Sequence, residues 1–280
     1  MTTLAVTGST GSLGGLVARE LAAAGVAQRL LARTPSRAPQ LPRAHAVPFA
    51  YEDRESSIQA LDGIETLLMI SATESAERLD QHRTFIDAAR DAGVEHVVYT
   101  SFLAAAADSI FTLGREHYET EEYLKASGLS YTFLRDNFYI DFMPALVGED
   151  GVIRGPAGDG RVSAVARADV ARVAATVLQN PAAHRNVSYR MTGPEALSLA
   201  DVAHVIAANR GTPVAYHDET IQEAYESRRP YGAPGWQVDA WVSTYTAIAS
   251  GRLAAISPDI GQITGRRPQS LAEFLAAGQP

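Results

Sequence analysis

Leu4-Ala5-Val6-Thr7-Gly8-Ser9-Thr10-Gly11-Ser12-Leu13-Gly14-Gly15 is the stretch whose reading decides the fold. Its apolar triplet runs into Thr-Gly, the pattern of a buried strand entering a turn. Leu13, Leu16, Val17 and Leu21 then recur at helical spacing as far as Ala24, and Gly25 stops the helix. Between strand and helix stand Gly8, Gly11 and Gly14. Gly8 permits a tight turn, Gly11 lets backbone approach a pyrophosphate, and Gly14 permits close helix–strand packing. The helix start adds free N–H groups and the positive end of its dipole. Gly8, Thr10, Gly11, Ser12, Leu13 and Gly14 are therefore candidate dinucleotide-binding residues.

Outward from this turn the chain alternates strand and helix. Strands are expected at Arg29–Arg33, Ala46–Phe49, Thr66–Ser71, His96–Ser101, Tyr131–Arg135 and Val187–Met191. Helices are expected at Ser56–Leu61, Leu79–Ala92, Arg115–Ser127, Ala168–Leu178 and Ser198–Ala208. Continuous apolar strands separated by helices mark an α/β protein with a Rossmann-type, doubly wound parallel sheet. Ala104–Ala107 reads as a helix start or a mobile loop. The second half is less regular, with Pro230, Pro234, Pro258 and Pro268 among glycines. We expect one NAD(P)-binding domain over 1–280, its core formed by 1–136 and about 160–192. A smaller C-terminal substrate-side subdomain then comprises about 137–159 and 193–280, over the sheet edge where ligands bind in open α/β folds.

The 280 residues include no cysteine. That excludes disulfides, thiolate zinc sites, cysteine-bound iron–sulfur clusters and a cysteine nucleophile. A formal charge of −8 argues against a nucleic-acid partner. No apolar run approaches the length of a membrane span, and the N-terminus lacks the pattern of a signal peptide, so a cytoplasmic protein is expected. The seven histidines show no metal-ligand spacing.

NAD-specific sites carry Asp or Glu at the end of the second strand. Arg33 stands there, followed by Thr34 and later by Arg37. A guanidinium suits a 2′-phosphate, so NADP(H) is favoured, with NAD(H) possible.

The chain resembles the NmrA-like branch of the atypical short-chain dehydrogenase/reductases, and within it the type 2 NAD(P)H:quinone oxidoreductases. The resemblance rests on Thr7–Gly14, Ala32-Arg33-Thr34-Pro35, Leu67–Ser71, His117–Leu124, Ser127–Asn137 and Thr264-Gly265-Arg266-Arg267-Pro268. It implies that Ser71, Ala72 and Thr73 lie along the cofactor and that Phe49, Tyr51 and Asp53 lie near the adenine. It also implies that Asn137, Phe138 and Tyr139 border the nicotinamide and substrate. Ser101, at the end of the fifth strand, is expected to contact the cofactor pocket.

Carbonyl reductases of the wider superfamily use a Tyr-x-x-x-Lys pair, which is absent from the expected helix. Tyr118 is followed four residues on by Glu122, and Lys125 is preceded by Glu121. His117 and Glu121 share one helix face at i, i+4 spacing. His117 is thus the candidate catalytic proton donor. A quinone is already a strong electron acceptor and asks less of the protein than a ketone. The aromatic set Phe138, Tyr139, Phe142, Tyr225, Tyr231, Trp236, Trp241 and Tyr245 could in part line a flat-ring pocket. The expected activity is NADPH-dependent hydride transfer to a quinone or similar flat conjugated small-molecule acceptor, with a homodimer possible. Two alternatives stay open: an NADP(H)-binding sensor of NmrA type, and a reductase of a dye, imine or biosynthetic ketone.

Overall fold

The computed structural model describes residues 3–278. Met1, Thr2, Gln279 and Pro280, the ends of the expected 1–280 domain, lie outside the described residues. The chain forms two compact units. One holds the chain up to Phe102, Glu116–Arg135 and Arg167–Tyr189; the other holds Leu103–Arg115, Asp136–Ala166 and the chain from Arg190 onward.

A seven-stranded sheet is built from β1 (Leu4–Val6), β2 (Gln28–Ala32), β3 (Ala44–Pro48), β4 (Thr66–Met69), β5 (His96–Phe102), β6 (Ser130–Asp136) and β9 (Val187–Met191). Its order is β3-β2-β1-β4-β5-β6-β9. The pairs β1–β2, β2–β3, β1–β4 and β4–β5 are all parallel. The chain winds outward from β1 to β3, then returns to β4 on the other side of β1. In doubly wound sheets the carboxyl ends of the strands at such a reversal, here β1 and β4, are the general ligand position.

Helices cover the sheet: α1 (Ser12–Ala23), α2 (Arg54–Leu61), α3 (Arg78–Asp91), α4 (Thr112–Ala126) and α5 (Arg167–Gln179). Helix α1 packs on α5, and α2 on α3. Strand alternation explains the layers. Leu67 and Met69 of β4 join Ala60 and Leu61 of α2, Phe85 and Ile86 of α3 and Leu124 of α4 in one buried cluster. Leu68, between them, is also fully buried, so both faces of the strand are covered.

In the second unit, β7 (Val152–Gly155) pairs in parallel with β11 (Ala215–Asp218), and β8 (Arg161–Val162) pairs antiparallel with β10 (Leu197–Ser198). Helices α6 (Leu199–Arg210), α7 (Ile221–Arg228), α8 (Gly235–Ala249), α9 (Asp259–Thr264) and α10 (Leu271–Ala276) complete it. Ser198 and Asp201 form the capping box their spacing suggests. Ala104–Ala107 is a turn region outside any helix. Several of the expected pocket aromatics have other surroundings. Tyr231 and Phe142 are exposed, whereas the Tyr245 ring lies where a side chain on Gly155 would go. No helix among the described residues is long and apolar enough to cross a membrane.

Phe85 anchors the α3 face, its ring 4.8 Å from that of Phe49 and 4.9 Å from that of Tyr51. Removing a buried ring costs the transfer energy plus a cavity. Phe85→Ala should lower unfolding free energy by about 3–5 kcal/mol, read as a shift in the urea midpoint.

Candidate active site

The glycine turn has the geometry its sequence predicts. Gly8 adopts φ +62°, a left-handed conformation that disfavours any side chain. Its carbonyl accepts from Gly11 N–H at 2.9 Å, closing the turn. A Cβ on Gly14 would lie 2.3 Å from Gly8 O and 2.5 Å from Gly8 C, so α1 can approach the end of β1 only without a side chain there. Gly11 caps α1 without any side-chain hydrogen bond, and the bond from Gly15 N–H to Gly11 O is 3.0 Å. The N–H groups ahead of it remain outside the helix ladder and can receive an anion. In the same turn the buried Ser9 Oγ has no hydrogen-bond partner among the described residues. Bare donors, an orphaned hydroxyl and a side-chain-free approach fit a dinucleotide diphosphate.

Thr7 links this turn to the next strand. Its Oγ1 accepts from Ile70 N–H at 2.8 Å and hydrogen-bonds the Tyr51 hydroxyl at 2.9 Å. Tyr51 also bonds the Ile70 carbonyl. After β4, Ser71 N–H donates to Thr100 Oγ1 and Ala72 N–H donates to His82 Nε2, each at 2.9 Å. Thr73 is exposed. Because Nε2 of His82 accepts, Nδ1 carries the proton and donates to Thr120 Oγ1 at 2.9 Å. Thr120 passes the chain on to the Glu116 carbonyl at 2.8 Å. Burial, with Arg78 nearby, pushes the pKa of His82 down to about 3, so the ring stays neutral.

Arg33 follows β2, is exposed, and makes no ion pair among the described residues. Asp53 caps α2, its carboxylate accepting from Ser56 N–H at 3.0 Å. Phe49 is buried in the ring cluster with Tyr51 and Phe85.

On α4, His117 is buried and its Nδ1 lies 2.9 Å from the Tyr99 hydroxyl. Burial, reinforced by Arg78 and His82, holds its pKa well below the ordinary value. One turn on, Glu121 is fully buried and paired with Arg135, whose Nε donates at 2.8 Å. Ser101 Oγ donates to the same carboxylate oxygen at 2.6 Å. Sequence reading placed Glu121 beside His117 but missed its ion pair, since Arg135 belongs to the next strand.

Asn137, Phe138 and Tyr139 follow β6. The Asn137 amide donates to Ser163 O, Ser163 Oγ and Leu253 O at 3.0–3.1 Å, so it holds chain segments together. Phe138 meets Phe111 edge-on, with ring centroids 5.5 Å apart. The Tyr139 hydroxyl donates to Asp136 Oδ2 at 2.6 Å. Asp136 was no sequence candidate, because a polar residue at a strand end reads as a turn. It is instead 4% exposed.

Fold and turn together define an NAD(P)H-binding protein of Rossmann type. Comparison with known proteins agrees. The NAD(P)H-binding family matches residues 8–181. The chain is 33% identical to quinone oxidoreductase 2 of Escherichia coli (strain K12), over 98% of this chain and 97% of that one. It is 32% identical to an NAD(P)H azoreductase of Xenophilus azovorans, over 97% and 96% of the two chains. The solved structure of an NADPH-dependent quinone oxidoreductase from Escherichia coli, complexed with NADPH, superposes with a TM-score of 0.89 at 32% identity. That match covers 98% of this chain and 99% of the other. The chain belongs to the NAD(P)H-binding family.

Two outcomes follow from this geometry. Gly14→Ala should abolish NADPH binding, measured by nicotinamide fluorescence, because the new methyl meets backbone rather than a movable side chain. The second concerns Asp136, whose pKa burial raises to about 8. Unfolded aspartate titrates near ~4, so the folded state binds the extra proton between those values. Its contribution is present below the unfolded pKa and is lost as pH rises through 8. Asp136→Asn removes this loss. Its urea midpoint relative to the unaltered protein should therefore climb between about pH 5 and pH 9; parallel curves would contradict the assignment.

Proposed function

We propose that this protein is an NADPH-dependent oxidoreductase that passes hydride to a quinone or a similar flat conjugated acceptor. The observation that carries this reading is the occupancy of the α4 face. His117 is buried with its ring neutral, and Glu121 is committed to Arg135 and Ser101. That face offers no acid comparable to the tyrosine a ketone reductase uses, so the acceptor must be one that hydride reduces readily. The names of the quinone and azo reductase relatives support the same acceptor class.

The cofactor supplies the hydride when bound. Gly8, Thr10, Gly11, Ser12, Leu13 and Gly14 bind its diphosphate through backbone donors at the start of α1. Arg33 takes the 2′-phosphate, since its guanidinium is exposed and free of carboxylates. Ser71, Ala72, Thr73 and Ser101 border the cofactor, with Asp53 toward the adenine end. Asn137, Phe138 and Tyr139 contribute to the acceptor side, within substrate-side elements 137–159 and 193–280. His117 acts as a neutral hydrogen-bonding group that holds Tyr99, rather than as an imidazolium acid. The proposal includes a cytoplasmic location, where NADPH is kept reduced, and a homodimer, which light scattering would test.

The purified protein mixed with NADPH and a panel of quinones should show loss of the nicotinamide absorbance. Cofactor binding without oxidation would instead mean a sensor. Arg33→Ala should weaken NADPH binding by about 10-fold or more while leaving NADH affinity nearly unchanged, since a charge-assisted bidentate contact of ~1.5–3 kcal/mol is lost. Equal weakening of both cofactors would refute the 2′-phosphate role.

A further inference from the structure

Between Met69, the end of β4, and Arg78, the start of α3, the chain forms neither strand nor helix. Its first three residues are nevertheless fixed, because three consecutive backbone donors end on side chains. Ile70 N–H donates to Thr7 Oγ1 at 2.8 Å, Ser71 N–H to Thr100 Oγ1 at 2.9 Å, and Ala72 N–H to His82 Nε2 at 2.9 Å. The acceptors come from three places: the turn after β1, strand β5 and helix α3. A buried N–H without an acceptor is costly, so these side chains decide where the segment lies.

The third acceptor differs from the first two. A hydroxyl always offers lone pairs, whereas a neutral imidazole accepts at one nitrogen only. Which nitrogen that is depends on the partner of the other. The Thr120 hydroxyl gives its single proton to the Glu116 carbonyl at 2.8 Å, so toward His82 Nδ1, 2.9 Å away, it can only accept. Nδ1 therefore holds the ring proton, and Nε2 meets Ala72 as a lone pair. His82 and Thr120 are both buried, so solvent does not compete for either contact. Burial, with Arg78 adding to it, holds the pKa of the ring at about 3, and the arrangement survives from mildly acidic to alkaline pH.

We propose that His82, oriented by Thr120, is a positioning residue for the cofactor: by holding Ala72 N–H it sets the backbone of residues 71–73, the segment that borders the dinucleotide. This rests on the functional reading above, which puts that segment beside NADPH. Ser71, Ala72, His82, Thr100, Glu116 or Thr120 need no help from the second unit, since all belong to the unit that carries the glycine turn, except that Thr7, Ile70 and the turn itself complete the same frame. The action of His82 passes through the Ala72 peptide. With the Ser71 and Ala72 donors both committed to the scaffold, the segment meets the cofactor with its side chains and carbonyls, and a displaced peptide misplaces them together. The turn at the start of α1 keeps its own closing bond, from Gly11 N–H to Gly8 O. Loss of the histidine contact therefore weakens NADPH binding without dismantling the diphosphate cradle.

The test uses the full chain. NADPH is titrated by nicotinamide fluorescence, and pyrophosphate, a probe of the α1 cradle alone, by calorimetry. His82→Phe keeps a buried ring but offers no acceptor; it should raise the NADPH Kd about 10-fold and leave the pyrophosphate Kd unchanged. His82→Gln, which carries both an acceptor and a donor, should recover most of the affinity. Thr120→Val removes the partner of the Nδ1 proton and should move NADPH binding in the same direction as His82→Phe; it decides the matter if His82→Phe does not fold. In the cofactor-free protein the Ala72 amide should exchange with deuterium about 10-fold faster in both variants. NADPH binding of unaltered strength in either folded variant, an Ala72 amide that exchanges no faster, or equal losses for NADPH and pyrophosphate would overturn the positioning role while leaving the oxidoreductase reading intact. An unaltered protein that binds pyrophosphate but not NADPH would overturn both.

Discussion

The first turn of α1 lies against Thr7 and Gly8, the turn that follows β1, and the shape of the glycine turn depends on that approach. It is possible because Gly14 presents no Cβ to the Gly8 carbonyl, which would otherwise stand 2.3 Å away. With the helix in place, its free N–H groups aim at the crevice where the strand order reverses. Thr7 then fixes the strand beside it. Its hydroxyl meets both Ile70 N–H and Tyr51, and Tyr51 in turn stands on Phe85. Turn, adjacent strand end and α3 core are thus joined through one threonine side chain.

Around this framework the buried polar groups are organised to stay neutral. His82 cannot take a second proton without losing the hydrogen bond it accepts from Ala72, so its tautomer and the position of that backbone are set together. His117 sits in the same region and is held neutral chiefly by burial, with the nearby Arg78 cation and His82 adding to it. Arg78 is itself buried and paired with Glu116 at 2.7 Å. Burial is the main cause that keeps both imidazoles uncharged, and this one compensated cation adds to it in each. At the surface, by contrast, Arg33 is exposed and makes no ion pair among the described residues.

Most of the unit carrying the seven-stranded sheet is readable in the sequence. Strands such as Leu67-Leu68-Met69 are continuous apolar runs because both faces are covered, and glycines at 25, 63 and 93 end helices at positive φ. Strand ends differ from expectation by a few residues, as at β3, which begins at Ala44 rather than Ala46. The second unit was poorly legible. Strand β8 has two residues and β10 two, too short for any periodicity, and α8 is apolar around much of its surface. The site divides the same way. The glycine turn is local, so spacing finds it. The pairing of Glu121 with Arg135, the locking of His82 and the burial of Asp136 depend on residues distant in sequence, which periodicity cannot connect.

The position of β1 in the sheet has a consequence for synthesis of the chain. Leu4–Val6 leaves the ribosome before β2, β3 and α2, yet one of its two neighbours, Thr66–Met69, is made only after them. Until then the strand has one bare edge, and the glycine turn lacks the Thr7–Ile70 contact that shapes it. Parallel pairing across such a gap is slow because loop closure precedes any stabilising contact. The nascent chain therefore passes through an interval with an exposed apolar edge, the condition in which chaperones engage a growing protein.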